Sequence, residues 1–183
     1  MSTQLTPPLL DDDHMLGPAD APLELVMYGD FQCPYCLAAQ SVVRRVRDRL
    51  GDRLRFAFRH LPIVEKHPMA LPAAEASEAA AAQGRFWEYH DALYESQPRL
   101  SDAELTRIAG ALGLDVERFS EELAGGAWRA RVERDMESAV SSGARGTPTF
   151  FVNSRLHDDV YDAGSLVEAL TAAAPLPYGG ERP

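Results

Sequence analysis

Residues 23–36 read Leu-Glu-Leu-Val-Met-Tyr-Gly-Asp-Phe-Gln-Cys-Pro-Tyr-Cys and contain both cysteines of the 183-residue chain. The apolar run at the start of this stretch predicts a short buried strand, and Gly29 with Asp30 predicts its end. After the cysteines, apolar residues recur at helical spacing up to Gly51, a residue type typical of a helix C-cap. Cys33 is therefore expected at the first turn of a helix that directly follows a strand.

Residues 54–59 alternate between apolar and mostly charged side chains, which is the period of a half-buried strand. Strand, helix and strand together form a βαβ unit, whose crossover is expected to be right-handed. Near the C-terminus, residues 149–152 predict a further strand, Asn153 a tight turn, and Leu156 the start of a hairpin partner. Ser165 then predicts the capping box of a last helix.

Residues 68–143 differ from both flanking parts, because their periodicity is helical almost throughout. Ser101 predicts a capping box at the start of one helix in this region. The last helix of the region places Val132, Met136 and Val140 on one face, which is expected to face inward. The region is therefore predicted to be an all-helical insertion.

The overall charge limits the partners that the chain can have. The formal net charge is −10, and this repels nucleic acid and anionic membrane surfaces. No run of about 18 consecutive apolar residues occurs, so no membrane insertion is predicted. Residues 1–13 lack the basic start and apolar stretch of a signal peptide, and a cytoplasmic location is expected.

The spacing of the two cysteines suggests redox chemistry. The thiolate is the nucleophile in disulfide exchange, and a helix N-terminus lowers the pKa of a cysteine from about 8.5 to roughly 3.5–7.5. Cys36 lies one turn further into the helix and is expected to be more buried and less ionised. Cys33 is therefore predicted to attack a substrate disulfide, and Cys36 to resolve the mixed disulfide.

A lone Cys-x-x-Cys pair has two other interpretations, incidental core cysteines or half of a zinc site. Against zinc, no second such pair exists, and four of the five histidines are dispersed without ligand spacing, namely His60, His67, His90 and His157. The sequence therefore predicts no metal and no bound cofactor.

The chain resembles the DsbA-like branch of the thioredoxin-fold thiol–disulfide oxidoreductases. The resemblance extends over about residues 17–170. Four segments carry it: Gly17-Pro18-Ala19-Asp20-Ala21-Pro22, Tyr28-Gly29-Asp30-Phe31-Gln32-Cys33-Pro34-Tyr35-Cys36, Phe86-Trp87-Glu88-Tyr89-His90-Asp91, and Gly146-Thr147-Pro148-Thr149-Phe150-Phe151-Val152-Asn153.

The resemblance implies an α/β thioredoxin fold, with a central mixed sheet of four to five strands. It also implies that an all-helical insertion separates the βαβ half from the ββα half. On this basis residues 17–67 and 144–174 are expected to form the thioredoxin-like domain, and residues 68–143 the insertion. Residues 1–16 and 175–183 are expected to be flexible ends.

The same resemblance implies a cis peptide bond before Pro148, with this proline against the cysteine pair. Judged on its own residues, Pro148 is better explained as an ordinary proline at the first position of a strand. In the implied arrangement, the backbone of Thr147 pairs with an extended substrate chain beside the reactive cysteine. Pro34, Tyr35, Thr147 and Pro148 are therefore the expected substrate-binding residues.

Met27 departs from the pattern of the family, which often has a buried carboxylate six residues before the first cysteine. That carboxylate accepts the proton of the buried thiol. Glu24 and Asp30 are nearby, but strand parity places Glu24 on the opposite face, and Asp30 is also explained as a turn residue. The sequence assigns no base and predicts slow resolution of the mixed disulfide.

The predicted function is dithiol–disulfide exchange with disulfide-containing or dithiol protein clients, with glutathione as a further candidate partner. A recycling redox partner is also required. In a reducing compartment the expected direction is that of a reductase or redox-repair protein. Two alternatives stay open at this point: a disulfide-forming oxidase, and a client-binding chaperone in which the cysteines are secondary.

Overall fold

The computed structural model describes residues 3–172 of the chain, where a five-stranded sheet packs among seven α-helices. The strands are β1 (His14–Leu16), β2 (Leu23–Gly29), β3 (Leu54–His60), β4 (Thr149–Val152) and β5 (Arg155–His157). The helices are α1 (Pro34–Leu50), α2 (Ala70–Ala81), α3 (Phe86–Glu95), α4 (Asp102–Ala111), α5 (Val116–Ala124), α6 (Arg129–Ser142) and α7 (Ala163–Ala172).

The sheet has the strand order β1-β3-β2-β4-β5, with β2 at its centre. β2 runs parallel to β3, and the other neighbouring pairs are antiparallel, so the predicted mixed sheet is confirmed. Tyr28 pairs with Thr149 at the end of β2 where the chain leaves for Cys33. The register therefore brings the start of β4, and with it Pro148, beside the two cysteines.

Helix α1 begins where the cysteine motif predicts it. Cys33 is the N-cap, with extended backbone angles, and Pro34 occupies the first turn, where a missing amide hydrogen is tolerated. One face of the helix is buried through Ala39 and Val43. At its C-terminal end Gly51 has a φ of 53°, a left-handed value that glycine adopts without strain.

The helices α2 to α6 all lie between β3 and β4, as the helical insertion predicts. Ser101 caps α4 by accepting a hydrogen bond from the Glu104 amide, which confirms the N-cap. The reciprocal half of the capping box does not form, because the Glu104 carboxylate bonds Ser96 and Arg107 instead. No helix among residues 3–172 is both long enough and apolar enough to span a bilayer.

The predicted inner face of α6 is wrong at Val140, which is 75% exposed. The buried face of this helix carries polar residues instead, because it covers the end of β3. Asp135 accepts a hydrogen bond from the His60 amide at 3.0 Å. Ser138 accepts one from the Arg59 guanidinium at 2.9 Å. The apolar stripe of α6 therefore faces inward at Val132 and Met136 but outward at Val140.

The expectation of a flexible N-terminal end is also wrong for residues 3–16. β1 pairs with β3, and Leu5 is only 3% exposed. The physical reason is Arg59, whose side chain is buried on β3 and needs a counter-charge. Asp13 supplies it, with its carboxylate 2.7 Å from the guanidinium. The expected flexible end at 175–183 lies outside the described residues.

The start of the last helix differs from the capping box expected at Ser165. α7 begins at Ala163, and Asp162 accepts hydrogen bonds from the amides of Gly164 and Ser165 at 2.7 and 3.0 Å. Asp162 caps the helix because its short carboxylate reaches these first-turn amides.

Candidate active site

The two cysteines lie at the junction between the central strand and α1. Cys33 is 3% exposed and Cys36 is fully buried, and neither forms a disulfide. Cys36 is thus the more buried of the two, as its position one turn further into α1 predicts. The structure therefore brings both predicted catalytic residues together as a dithiol.

The electrostatic environment separates the two thiols strongly. The pKa of Cys33 is lowered from 9.0 to about 5, first by a hydrogen bond with the Cys36 side chain. Hydrogen bonds with Thr147 and with the backbone of Cys36 and Tyr35 add to this effect, while burial opposes it. Burial above all raises the pKa of Cys36 far beyond that of an ordinary thiol. At neutral pH these shifts favour the thiolate of Cys33 and the protonated thiol of Cys36.

The loop before β4 completes the other side of the cysteine pair. The Cys33 sulfur lies 3.5 Å from the carbonyl oxygen of Thr147. The peptide bond between Thr147 and Pro148 is cis. A groove of about 540 Å³ is lined by residues on both sides of this bond and by Tyr161. An extended chain in this groove would lie close to the nucleophilic sulfur.

The other two expected substrate-binding residues lie on the outer surface of the α1 start. Pro34 is exposed, and Tyr35 is 67% exposed. Tyr161 also lines the groove and was missed by sequence reasoning. Burial raises its pKa, and Cys36 and Cys33 raise it further when they are ionised. Its ring packs at 5.4 Å from that of Phe150, and in sequence it resembles any core aromatic.

Asp30 organises the loop that connects β2 to the cysteines. Its buried carboxylate accepts hydrogen bonds from the amides of Gln32 and Ile63 and lies 2.7 Å from His67 Nδ1. Its own amide points at the Cys36 sulfur, 3.5 Å away. The arrangement supports the interpretation of Asp30 as a turn residue.

Glu24 faces away from the cysteines, as strand parity predicts. Its carboxylate lies 3.2 Å from the Arg55 guanidinium and accepts a hydrogen bond from Ser154. Met27 is fully buried on the side of the sheet that also contains Cys36. The position where the family often has a carboxylate therefore has no acidic group in this chain.

The insertion also holds the active-site loop, through a residue that sequence reasoning missed. The side-chain amide of Gln97 donates hydrogen bonds to the carbonyl oxygens of Phe31 and Cys33. Gln97 follows the end of α3, and nothing in its sequence context indicates this contact. Only the tertiary structure brings it to the cysteine motif.

The structure brings together two histidines that the sequence leaves dispersed. Nε2 of His14 and Nε2 of His60 each lie 2.8 Å from the same oxygen of Glu78. Three possible metal ligands thus lie within 4.8 Å of one another. Because Arg131 Nε is also only 3.8 Å from that oxygen, the arrangement favours a hydrogen-bonded cluster over a cation site. Burial opposes its charge, but the imidazoles hold the pKa of Glu78 well below its usual value.

The comparisons with known proteins agree with this geometry. A thioredoxin family model matches residues 10–172. Oxidised BdbD from Bacillus subtilis is 26% identical, with a TM-score of 0.80 over 93% of this chain and 96% of that protein. A thioredoxin-like oxidoreductase from Silicibacter pomeroyi is 28% identical, with a TM-score of 0.76 over 89% of this chain and 92% of that protein.

A longer protein also contains a similar sequence. The Na⁺/H⁺ antiporter NhaA 3 of Salinispora tropica is 44% identical, over 94% of this chain. The chain spans only 27% of the length of that antiporter. The similarity therefore concerns one part of the antiporter.

The fold and the paired thiols together define the class of thiol–disulfide oxidoreductases. The chain belongs to the thioredoxin family, and its fold is DsbA-like.

Proposed function

We propose that the chain exchanges disulfides with protein clients through Cys33. The thiolate attacks one sulfur of a client disulfide, and the other client sulfur leaves as a thiolate and takes up a proton. Cys36 then loses its proton and attacks the Cys33 sulfur, which releases the second client thiol. Two electrons pass to the client, and the pair becomes a disulfide. The pKa of about 5 at Cys33 carries this proposal.

Clients are proposed to bind along the groove beside Thr147 and Pro148. The main-chain groups of Thr147 lie close enough to the nucleophile to hold an extended client segment. Pro34 and Tyr35 offer an exposed, largely apolar contact on the other side of the sulfur. Disulfide-containing or dithiol proteins are the proposed clients, glutathione is a further partner, and a separate redox protein recycles the pair.

We further propose that residues 68–143 act as a unit inserted into a thioredoxin-like domain of residues 17–67 and 144–174. In support, Gln97 of the insertion contacts the backbone of Cys33 directly. The insertion therefore shapes the surface that clients meet.

The proposed direction is that of a reductase or repair protein in the cytoplasm. A pair with a potential near −200 mV, placed in a poise of about −250 mV, favours the dithiol by roughly 2.3 kcal/mol. The stabilised thiolate of Cys33 supports the same resting state, because it lowers the free energy of the dithiol relative to the disulfide. The pair would then donate electrons to client disulfides.

The stabilised Cys33 thiolate also favours the oxidase alternative if the protein works in an oxidising compartment. Stabilising the thiolate raises the reduction potential, and a high potential makes the disulfide form a strong oxidant. Equilibration with glutathione buffers separates the two directions. A potential below about −270 mV supports a general reductant, and one near −120 mV supports an oxidase.

A client-reduction assay tests the proposed exchange itself. The wild-type protein should reduce a disulfide-containing substrate protein, and the Cys33→Ser, Cys36→Ser double variant should not. If the double variant processes or protects clients as well as the wild type does, the chaperone interpretation replaces the redox one.

A further inference from the structure

Tyr94 of α3 has a buried hydroxyl whose bonding potential is unused. The residue is 2% exposed, and within residues 3–172 its oxygen makes no hydrogen bond of standard geometry, although the Cys36 side chain is near enough to interact with it. Buried hydroxyls are normally paired, because desolvating one without a partner is costly. An unpaired one beside a reactive group therefore requires an explanation.

The hydroxyl lies beside Gly29, the last residue of β2. A methyl group added to Gly29 would lie 3.1 Å from the Tyr94 oxygen. The next residue is Asp30, whose amide points at the Cys36 sulfur from 3.5 Å. The Tyr94 ring also packs on Phe31, with the ring centres 5.1 Å apart. Tyr94 thus contacts the active-site loop from within the buried cluster that also contains Cys36.

The charge state of the phenol is fixed by its surroundings. Burial raises its pKa well above the usual value, and the charges that Cys36, Asp30 and Cys33 carry when they are ionised raise it further. The hydroxyl therefore keeps its proton and is available only as a donor toward an anion. Ionised Cys36 has the largest of these charge effects, so the phenol and the Cys36 sulfur interact electrostatically once that sulfur is an anion.

We propose that the Tyr94 hydroxyl donates a hydrogen bond to the Cys36 sulfur as that sulfur becomes anionic during resolution of the mixed disulfide. This inference rests on the proposed roles of Cys33 and Cys36. The Cys36–Cys33 bond forms and the Cys33–client bond breaks. The proton of Cys36 leaves to solvent, the client thiolate takes one up, and Tyr94 keeps its own. Tyr94 thereby lowers the free-energy cost of deprotonating Cys36, a step for which Met27 provides no proton acceptor.

The test is a Tyr94→Phe variant, which removes one oxygen and keeps the packed ring. Reduced protein is mixed with a symmetrical aromatic disulfide that releases a coloured thiol. The first release reports the attack by Cys33, and the second reports the resolution by Cys36. The expected result is an unchanged first phase and a second phase slowed about tenfold, which corresponds to about 1.4 kcal/mol.

Tyr89→Phe is the matched control on the same helix. Tyr89 is fully buried, and its hydroxyl donates a hydrogen bond to the Leu105 carbonyl at 2.9 Å, away from the cysteines. This variant should leave both phases unchanged. The inference is overturned if Tyr94→Phe resolves as fast as the wild type, or if both tyrosine variants slow the second phase equally. Failure of the proposed function looks different, because wild-type protein would then lack a first phase that depends on Cys33.

Discussion

The Cys33 sulfur and the Thr147 carbonyl oxygen lie 3.5 Å apart, although 114 positions separate the two residues in sequence. The pairing of Tyr28 with Thr149 creates this proximity, since it aligns the end of β2 with the start of β4. A client segment held at Thr147 would therefore present its disulfide to the nucleophile. In the proposed function, client binding at Thr147 and attack by Cys33 therefore take place at the same end of the paired strands β2 and β4.

The ionisation of Cys33 should be visible in its reaction with an alkylating reagent. In the reduced protein, the rate of Cys33 alkylation should rise with pH around a midpoint of about 5. The first cause of the shift is the Cys36 side chain, so Cys36→Ala should raise the midpoint more than Cys36→Ser, which keeps a hydroxyl donor. Equal midpoints in these two variants would contradict this cause.

The same shift makes the stability of the reduced protein depend on pH. The folded-state pKa of Cys33 is about 5, below the ordinary value of 9.0. Deprotonation therefore stabilises the folded dithiol form fully above pH 9.0, and this contribution is lost as the pH falls through 5. Chemical unfolding should show that the stability advantage over Cys33→Ser shrinks from pH 9.0 to 5. A constant difference would be inconsistent with the shift.

Met27→Glu should accelerate resolution, because it places a carboxylate on the side of the sheet that contains Cys36. We expect the second phase in the aromatic disulfide assay to become about 100-fold faster, at the low end of general-base effects. Burying the carboxylate should also destabilise the protein by several kcal/mol, roughly 2–4. Met27→Leu is the control, with unchanged rates. An unchanged rate in Met27→Glu would show that proton removal does not limit resolution.

Asp13→Ala should lower the free energy of unfolding by about 3–5 kcal/mol, because it leaves the buried Arg59 guanidinium without its counter-charge. Asp11→Ala is the control in the same acidic run, and Asp11 is exposed. Urea unfolding of both variants checks the prediction. Equal stabilities would mean that the N-terminal segment does not contribute through this ion pair.

Gln97→Ala should weaken the hold of the insertion on the cysteine loop. Two hydrogen bonds to the carbonyls of Phe31 and Cys33 are lost, and the expected cost is about 1–3 kcal/mol. Gln83→Ala is the control, since Gln83 bonds the backbone of Asp115 far from the motif. Client reduction should slow only in Gln97→Ala. Equal activity of the two variants would count against a role for the insertion in the site.

The elements that local patterns determine were predictable from the sequence. The strand, the cysteine pair and the helix start at Cys33 depend on residues within one turn or one pleat. The cap at Ser101 depends on an amide only three residues away. In these cases the nearest neighbours in the chain are also the nearest neighbours in space.

The remaining features depend on partners distant in sequence. Val140 belongs to an apolar stripe, but α6 turns a polar face inward because Arg59 and the end of β3 need hydrogen bonds. Asp13 is one of three consecutive aspartates, and only the buried arginine distinguishes it. Tyr94 has the sequence context of an ordinary core aromatic. Its significance comes from an oxygen without a standard hydrogen bond and from the interaction of that oxygen with Cys36.

The most direct test of the central claim is to trap the mixed disulfide between this protein and a client. Cys36→Ser and Cys33→Ser variants are each incubated with a disulfide-containing peptide, and the site and rate of adduct formation are measured by mass spectrometry. The account predicts a rapid adduct at Cys33 in the Cys36→Ser variant and almost none in Cys33→Ser. An adduct that forms at Cys36 in Cys33→Ser at the same rate would contradict it.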